Sequence, residues 1–331
     1  MHEKVLDIET ADGHMETFLC WPERNGPHPA ILMLMDAPGI RNELYDMARR
    51  LATVGFFVIL PNLYYRAGAD TKYGKDVLQN GSVEHKRMRS VRTKMTIPPV
   101  MEDVYSLLQF IENHDATNDG LVGVHGYCMS GPYALAAAAR YPDKIGAAAS
   151  FYGTWIISDN EESPHKNLSK AAGELYISCA EFDDLAPPDM VEELKNLFIS
   201  SGNNGELEIH QGVHHGFAFP ERWCYDKDAA ERVRARRVDA RRDALADRLR
   251  RDDRVEVAQA REHGRSVRKL DHAHARQAVR QLELVHHVLG ERHHARRLPV
   301  HAAARVEHEH QVHRQRAVRR MWWWRQRRGR G

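Results

Sequence analysis

From residue 30 onward, short continuous apolar runs alternate with longer stretches whose apolar residues recur three and four positions apart. The runs are Ala30 to Met35, Phe56 to Leu60, Leu121 to Gly126, Gly146 to Phe151, Glu174 to Cys179 and Leu207 to Gln211. Most have no polar face, as strands covered on both sides should have none, and this points to parallel pairing. Between them, Met101, Val104, Leu107, Leu108 and Ile111 line one helical face, and Tyr133 to Arg140 and Met190 to Phe198 read as further helices. Such alternation predicts an α/β domain, a mostly parallel central sheet with helices on both faces. The opening MHEKVLDIETADG is acidic and strand-like, and Tyr65 to Pro99, charged and weakly periodic, predicts short helices and a long loop over one end of the sheet. A last helix is needed to close such a sheet, and Asp226 to Arg236 begins one. Its apolar stripe then fails: Val233, Val238, Leu245 and Leu249 are spaced irregularly among Arg, Asp and Ala, so the domain boundary is expected near residue 230.

Charge sharpens that boundary. Residues 1–230 carry 20 Lys and Arg against 33 Asp and Glu, whereas residues 231–331 carry 28 against 13, so the overall +2 joins two unlike halves. Residues 231–331 have 27 Arg, one Lys (Lys269) and 11 His, and lack Phe, Tyr, Ile, Asn, Thr and Cys. No ordinary folded domain has that make-up, which predicts a tail that is disordered or loosely helical. Three readings of it compete. A basic arm with Trp322, Trp323 and Trp324 among arginines suits nucleic acid or another polyanion. His286, His287, His293, His294 and the 308–313 stretch suggest metal, but at no closed-site spacing. An out-of-frame translation of GC-rich DNA explains why Lys, Asn, Ile, Phe and Tyr fade together after residue 230, and it is the reading preferred. Elsewhere no apolar run approaches the ~18 to 20 residues of a membrane span. The N-terminus shows no secretory pattern, and Cys20, Cys128, Cys179 and Cys224 form no C-x-x-C, so a cytoplasmic chain without membrane contact is expected.

The strongest chemical signal is LVGVHGYCMSGPYALAAAAR, a buried strand running into a tight turn that opens a small-residue helix. Cys128 is at the apex, with Gly126 two residues before it and Ser130 two after, where the nucleophile-elbow pattern has a second glycine. The helix beginning at Met129 aims its amides at the thiol, favouring thiolate and supplying an oxyanion donor. Cys20 and Cys179 read as packing residues, as do His125 and His210. A cysteine nucleophile needs a base and an acid that orients the base, following in chain order at later strand ends. After ELYISC comes AEFDDLAPP, offering Asp183 with Asp184 as rival; after LEIHQGV comes HHGFAFPER, offering His215 with His214 as rival. The glycine after His215 lets its loop fold back over the elbow. A rival of another kind is a silent hydrolase-like scaffold whose basic tail binds nucleic acid.

These residues resemble the dienelactone hydrolase family of α/β-hydrolases over residues 5 to 230, through MDAPG, HGYCMSG, AEFDDLAPP and HHGFAFPER. The resemblance implies the α/β-hydrolase fold and a triad of Cys128, His215 and Asp183 that hydrolyses small-molecule esters or lactones through a thioester, without cofactor or metal. By similarity the backbone amides of Met129 and Ala37 form the oxyanion hole, and Asp36 stands where the family keeps an acid that helps activate the thiol. Members specific for the dienelactone carboxylate carry an arginine just after the histidine. Here that position is Phe219, with Arg222 further on, and Arg87, Arg89 and Arg92 are the other candidate cations.

Overall fold

The structure, a computed structural model, describes residues 1–68 and 71–234. The basic tail from residue 235, and with it the polyanion, metal and reading-frame interpretations, lies outside the described residues. Among the described residues eight strands form one sheet: β1 (His2–Thr10), β2 (Gly13–Trp21), β3 (Ala30–Leu34), β4 (Phe57–Pro61), β5 (Val122–Tyr127), β6 (Ile145–Phe151), β7 (Glu174–Phe182) and β8 (Gly205–His214). Their order is β1-β2-β4-β3-β5-β6-β7-β8, with β1–β2 and β2–β4 antiparallel and every other pair parallel. The six apolar runs fall on β3 to β8, and β3, β4, β5 and β6 are buried at every position. The pattern did not delimit β2. It starts polar at the sheet edge and turns apolar on both faces as it passes inward beside β4.

Five α-helices connect the strands: α1 (Asn42–Thr53), α2 (Val83–Arg92), α3 (Ile97–Glu112), α4 (Gly131–Arg140) and α5 (Pro188–Ser201). The chain steps outward in one direction from β3 to β4 and in the other from β5 to β8, so right-handed crossovers put α1 on the opposite face from α4 and α5. Residues 227–234 are helical to the last described position, with Ala229, Ala230 and Val233 buried, and Glu231 accepts hydrogen bonds from Arg50 of α1. This segment therefore covers the α1 face. Between Tyr65 and Pro99 lie a 3-10 turn (Tyr65–Ala67), irregular chain and α2, as weak periodicity implied. Asp103 of α3, fully buried, takes Arg66 in a two-pronged salt bridge (2.6 and 2.8 Å) and the Tyr65 hydroxyl at 2.7 Å, which fastens that turn beneath the loop.

Helix α4 is buried from Gly131 to Ala139, which its run of alanines permits. Its first turn lies directly on the chain after β6: a Cβ on Gly131 would stand 2.5 Å from the Gly153 Cα. Close approach here holds the β5–α4 turn against the carboxyl ends of β3 and β6, where open α/β sheets build their sites.

Candidate active site

Cys128 begins a short 3-10 turn between β5 and α4, with φ at +54°, the left-handed region that costs a side-chain-bearing residue energy. Neighbours hold that strain in place. The Thr154 amide donates to the Cys128 carbonyl (3.1 Å), and Ser130, which departs from glycine in the elbow pattern, donates its hydroxyl to the Met35 carbonyl (2.5 Å). The serine thus ties the elbow to the end of β3. Beyond β7, Asp183 accepts the Leu185 amide on Oδ1 (2.9 Å) and meets His215 Nδ1 with Oδ2 (2.7 Å). Asp184 points to solvent. His214 stacks between Phe182 and Trp223, with ring centroids 4.9 and 5.0 Å away, and does not join the cluster.

With Nδ1 committed to Asp183, the buried Nε2 of His215 is left for Cys128. It has no well-aligned hydrogen bond, which is common in hydrolase sites without substrate, yet His215 is the strongest charged influence on the thiol. Burial alone would push the Cys128 thiol up, but the charge of His215, with Arg222 adding to it, holds it below its ordinary value. Burial likewise opposes charge on His215, and the Cys128 thiolate and Asp183 overcome it, raising the imidazole to about 9. Cys20 and Cys179 show what burial does without such partners: each is pushed up to about 12. Each group thus favours the charged form of the other, thiolate on Cys128 and imidazolium on His215.

Ala37 and Met129, the expected oxyanion donors, are both buried beside the elbow. One hydroxyl joins their segments, Tyr64 donating to the Ala37 carbonyl (2.8 Å) and lying 3.2 Å from the Met129 sulfur. Asp36 is fully buried and paired with two guanidiniums, Arg41 (2.5 and 3.1 Å) and Arg222 (2.6 Å). Phe219 fills the position where the family arginine was sought, and the guanidiniums of Arg41 (4.8 Å) and Arg222 (4.9 Å) both lie over its ring. Nothing local in the sequence marks Arg41, Tyr64 or Tyr152 as part of a site. Tyr152 has its ring 5.2 Å from that of His215, φ at +38°, and a buried hydroxyl without a hydrogen-bond partner.

A cavity of about 370 Å³ opens beside the elbow, lined by Met129, Tyr133, Thr154, Trp155, Arg89 and Arg92 among others. It touches Met129, next to Cys128, and Thr154, which binds the Cys128 carbonyl, although Cys128 itself is not in the lining. Arg87 is turned elsewhere, to Glu84 and the Tyr73 ring. Among the described residues no three His, Cys, Asp or Glu side chains are placed to hold a metal ion, and no helix is long and apolar enough to cross a membrane.

A mostly parallel sheet with a strained cysteine turn between strand and helix, and an acid and a histidine at later strand ends, defines an α/β-hydrolase. The profile of the dienelactone hydrolase family matches residues 15–243. The chain belongs to that family, and it is a hydrolase of the family's ester- and lactone-cleaving kind. Among its relatives, the "Putative carboxymethylenebutenolidase" of Methylorubrum extorquens is 24% identical over 230 residues, covering 68% of this chain and 76% of the relative. The "Probable 2-oxo-3-(5-oxofuran-2-ylidene)propanoate lactonase" of a Bradyrhizobium species is 26% identical over 230 residues, covering 68% and 88%. The fold matches the crystal structure of a "Putative Dienelactone Hydrolase" from Klebsiella pneumoniae with a TM-score of 0.62 at 20% identity, over 74% of this chain and 97% of that one.

Proposed function

We propose that residues 1–230 hydrolyse a small carboxylic ester or lactone through Cys128 as nucleophile, His215 as general acid and base, and Asp183 as the group that orients His215. The thiolate adds to the substrate carbonyl, and the amides of Met129 and Ala37 hold the developing oxyanion. As the carbonyl reforms, the leaving oxygen departs with the proton of the His215 imidazolium, giving a thioester and, from a lactone, a ring-opened chain. His215, now neutral, takes a proton from water, which adds to the thioester; collapse expels the Cys128 thiolate and restores the ion pair. Every proton moves through Nε2, and no cofactor is called for.

The observation that carries this reading is the strained Cys128 coupled to a His215 whose other nitrogen is bonded to Asp183 at 2.7 Å. The cavity beside Met129 suits a small substrate, and Arg89 and Arg92 in its wall favour one with an anionic group. The two relatives' names, a butenolide and a furanylidene lactone, point the same way. Four free thiols suit a reducing compartment such as the cytoplasm. The test compares hydrolysis of an activated aryl ester by the full chain and by Cys128→Ala. Turnover that disappears with the sulfur, together with a thioester-linked acyl group trapped on Cys128, is expected. Equal turnover by both proteins excludes the mechanism.

A further inference from the structure

Asp36 is the acid nearest in sequence to the expected oxyanion hole, and its surroundings are unusual for a group meant to take a proton from a thiol. Its side chain is wholly buried, and both oxygens are engaged. Arg41 grips them in a fork, Nη1 on Oδ1 at 2.5 Å and Nη2 on Oδ2 at 3.1 Å, while Arg222 Nη2 reaches Oδ2 at 2.6 Å. Two planar guanidiniums on one carboxylate give the strongest kind of side-chain hydrogen bonding. Arg41 is itself firmly placed. It is the N-cap of α1, its carbonyl accepting the amides of Leu44 (3.0 Å) and Tyr45 (3.2 Å), and Nη1 also donates to the Gly39 carbonyl at 3.1 Å. Its Nε donates to Glu221, and its guanidinium lies 4.8 Å from the Phe219 ring centre, so one side chain joins the loop after β3 to the loop that carries His215.

We propose that Arg41 is a positioning residue that clamps Asp36 against Arg222 and offsets the charge of this carboxylate, so that His215, with Arg222, keeps Cys128 ready for attack. The inference rests on the reading of Cys128 as nucleophile. The groups that face Cys128 fit it. His215 and Arg222 favour the thiolate, Asp36 opposes it, and the phenols of Tyr64, Tyr133 and Tyr152 surround it with their own ionisation suppressed by burial. An unclamped carboxylate beside Cys128 would work against the charge on sulfur, and a second arginine on Asp36 cancels that opposition.

The test measures the rate at which iodoacetamide alkylates Cys128 in the full chain, followed on the Cys128 peptide by mass spectrometry over an acid-to-neutral pH series. The rate reads the thiolate fraction directly. Counting Asp36, Arg41 and Arg222 as one charge cluster, Asp36→Asn makes it more positive, Arg41→Met less, and the double variant restores the wild-type balance. Below the thiol's inflection, Asp36→Asn is expected to alkylate faster and Arg41→Met slower, each by about tenfold for one pKa unit, with the double variant close to wild type. Arg41→Lys keeps the charge but not the fork, is the variant least disturbing to folding, and is expected to fall between Arg41→Met and wild type. Slower alkylation of Asp36→Asn overturns the proposal, because the carboxylate would then be helping the thiol. Wild-type behaviour of Arg41→Lys overturns the clamp. Alkylation reports the thiol whether or not Cys128 is the nucleophile, which loss of ester turnover in Cys128→Ala decides separately.

Discussion

Gly126 is two residues before Cys128, and the turn exists only because it has no side chain. A Cβ built on it would overlap the carbonyl carbon and oxygen of Ser130 and stand 3.0 Å from the Gly131 nitrogen, all backbone atoms. No side chain can swing aside to make room, so the backbone of residues 126–131 must open by about 1 Å to restore ordinary contact. Those atoms carry Cys128, the Met129 amide and the first turn of α4. A displacement of that size at a reacting group costs on the order of 10²-fold in rate, and overpacking of a tight core costs about 1–3 kcal/mol of stability. Gly126→Ala is therefore expected to lose about two orders of magnitude in kcat/KM for an aryl ester and to melt several degrees lower. Steady-state kinetics with thermal unfolding by circular dichroism measure both. The two losses arise from one event in the same backbone and should appear together. A variant that keeps more than half its kcat/KM with an unchanged Tm would show that the elbow can absorb a methyl group, and the account of Cys128 as rigidly presented would have to be given up.

Two further outcomes follow from the site. With a plain alkyl ester, whose leaving oxygen needs a proton, kcat/KM should rise with pH as the depressed Cys128 thiol ionises and fall again as His215, raised to about 9, loses its proton; a profile still climbing well above that value would show that no imidazolium proton is needed. Phe219→Ala removes a fully buried ring packed against Arg41 and Arg222, with an expected loss of about 3–5 kcal/mol in urea unfolding; a loss below about 1 kcal/mol would mean that the loop behind His215 is held by its ion pairs and not by packing.

The sheet was legible because its middle strands are buried on both faces, and a run such as Ala30 to Met35, six apolar residues with no polar break, is too short for a buried helix and suits a buried strand. The hairpin was half legible. Ala11 and Asp12 turn β1 into β2, and Gly13, with φ at +130°, opens β2; the adjacent Asp-Gly is a turn signal that could have bounded it. Cys128, Asp183 and His215 could be picked out because each stands just past a strand, where chain order restricts the choice. The rivals Asp184 and His214 could not be separated from them without knowing which way consecutive side chains point at a strand end.

What stayed hidden is what converges from separate loops. Arg41 and Arg222 meet on Asp36 from positions 181 residues apart; only Arg222 stood within a motif, and nothing local marks Arg41. Arg222 also shows why a motif position can mislead. The chain after His215 makes two successive turns, Phe219 N–H to the Gly216 carbonyl (3.1 Å) and Arg222 N–H to the Phe219 carbonyl (3.0 Å), and these carry an arginine three residues late back toward the elbow. The same turns explain Gly216. Its φ is +91°, and a Cβ there would stand 2.8 Å from Arg222 Cδ and 3.0 Å from Cζ. The glycine after the histidine therefore does more than let a loop bend. It leaves the space through which a later guanidinium reaches Asp36, so the identity of residue 216 and the reach of residue 222 are one structural fact, visible only when both are in place.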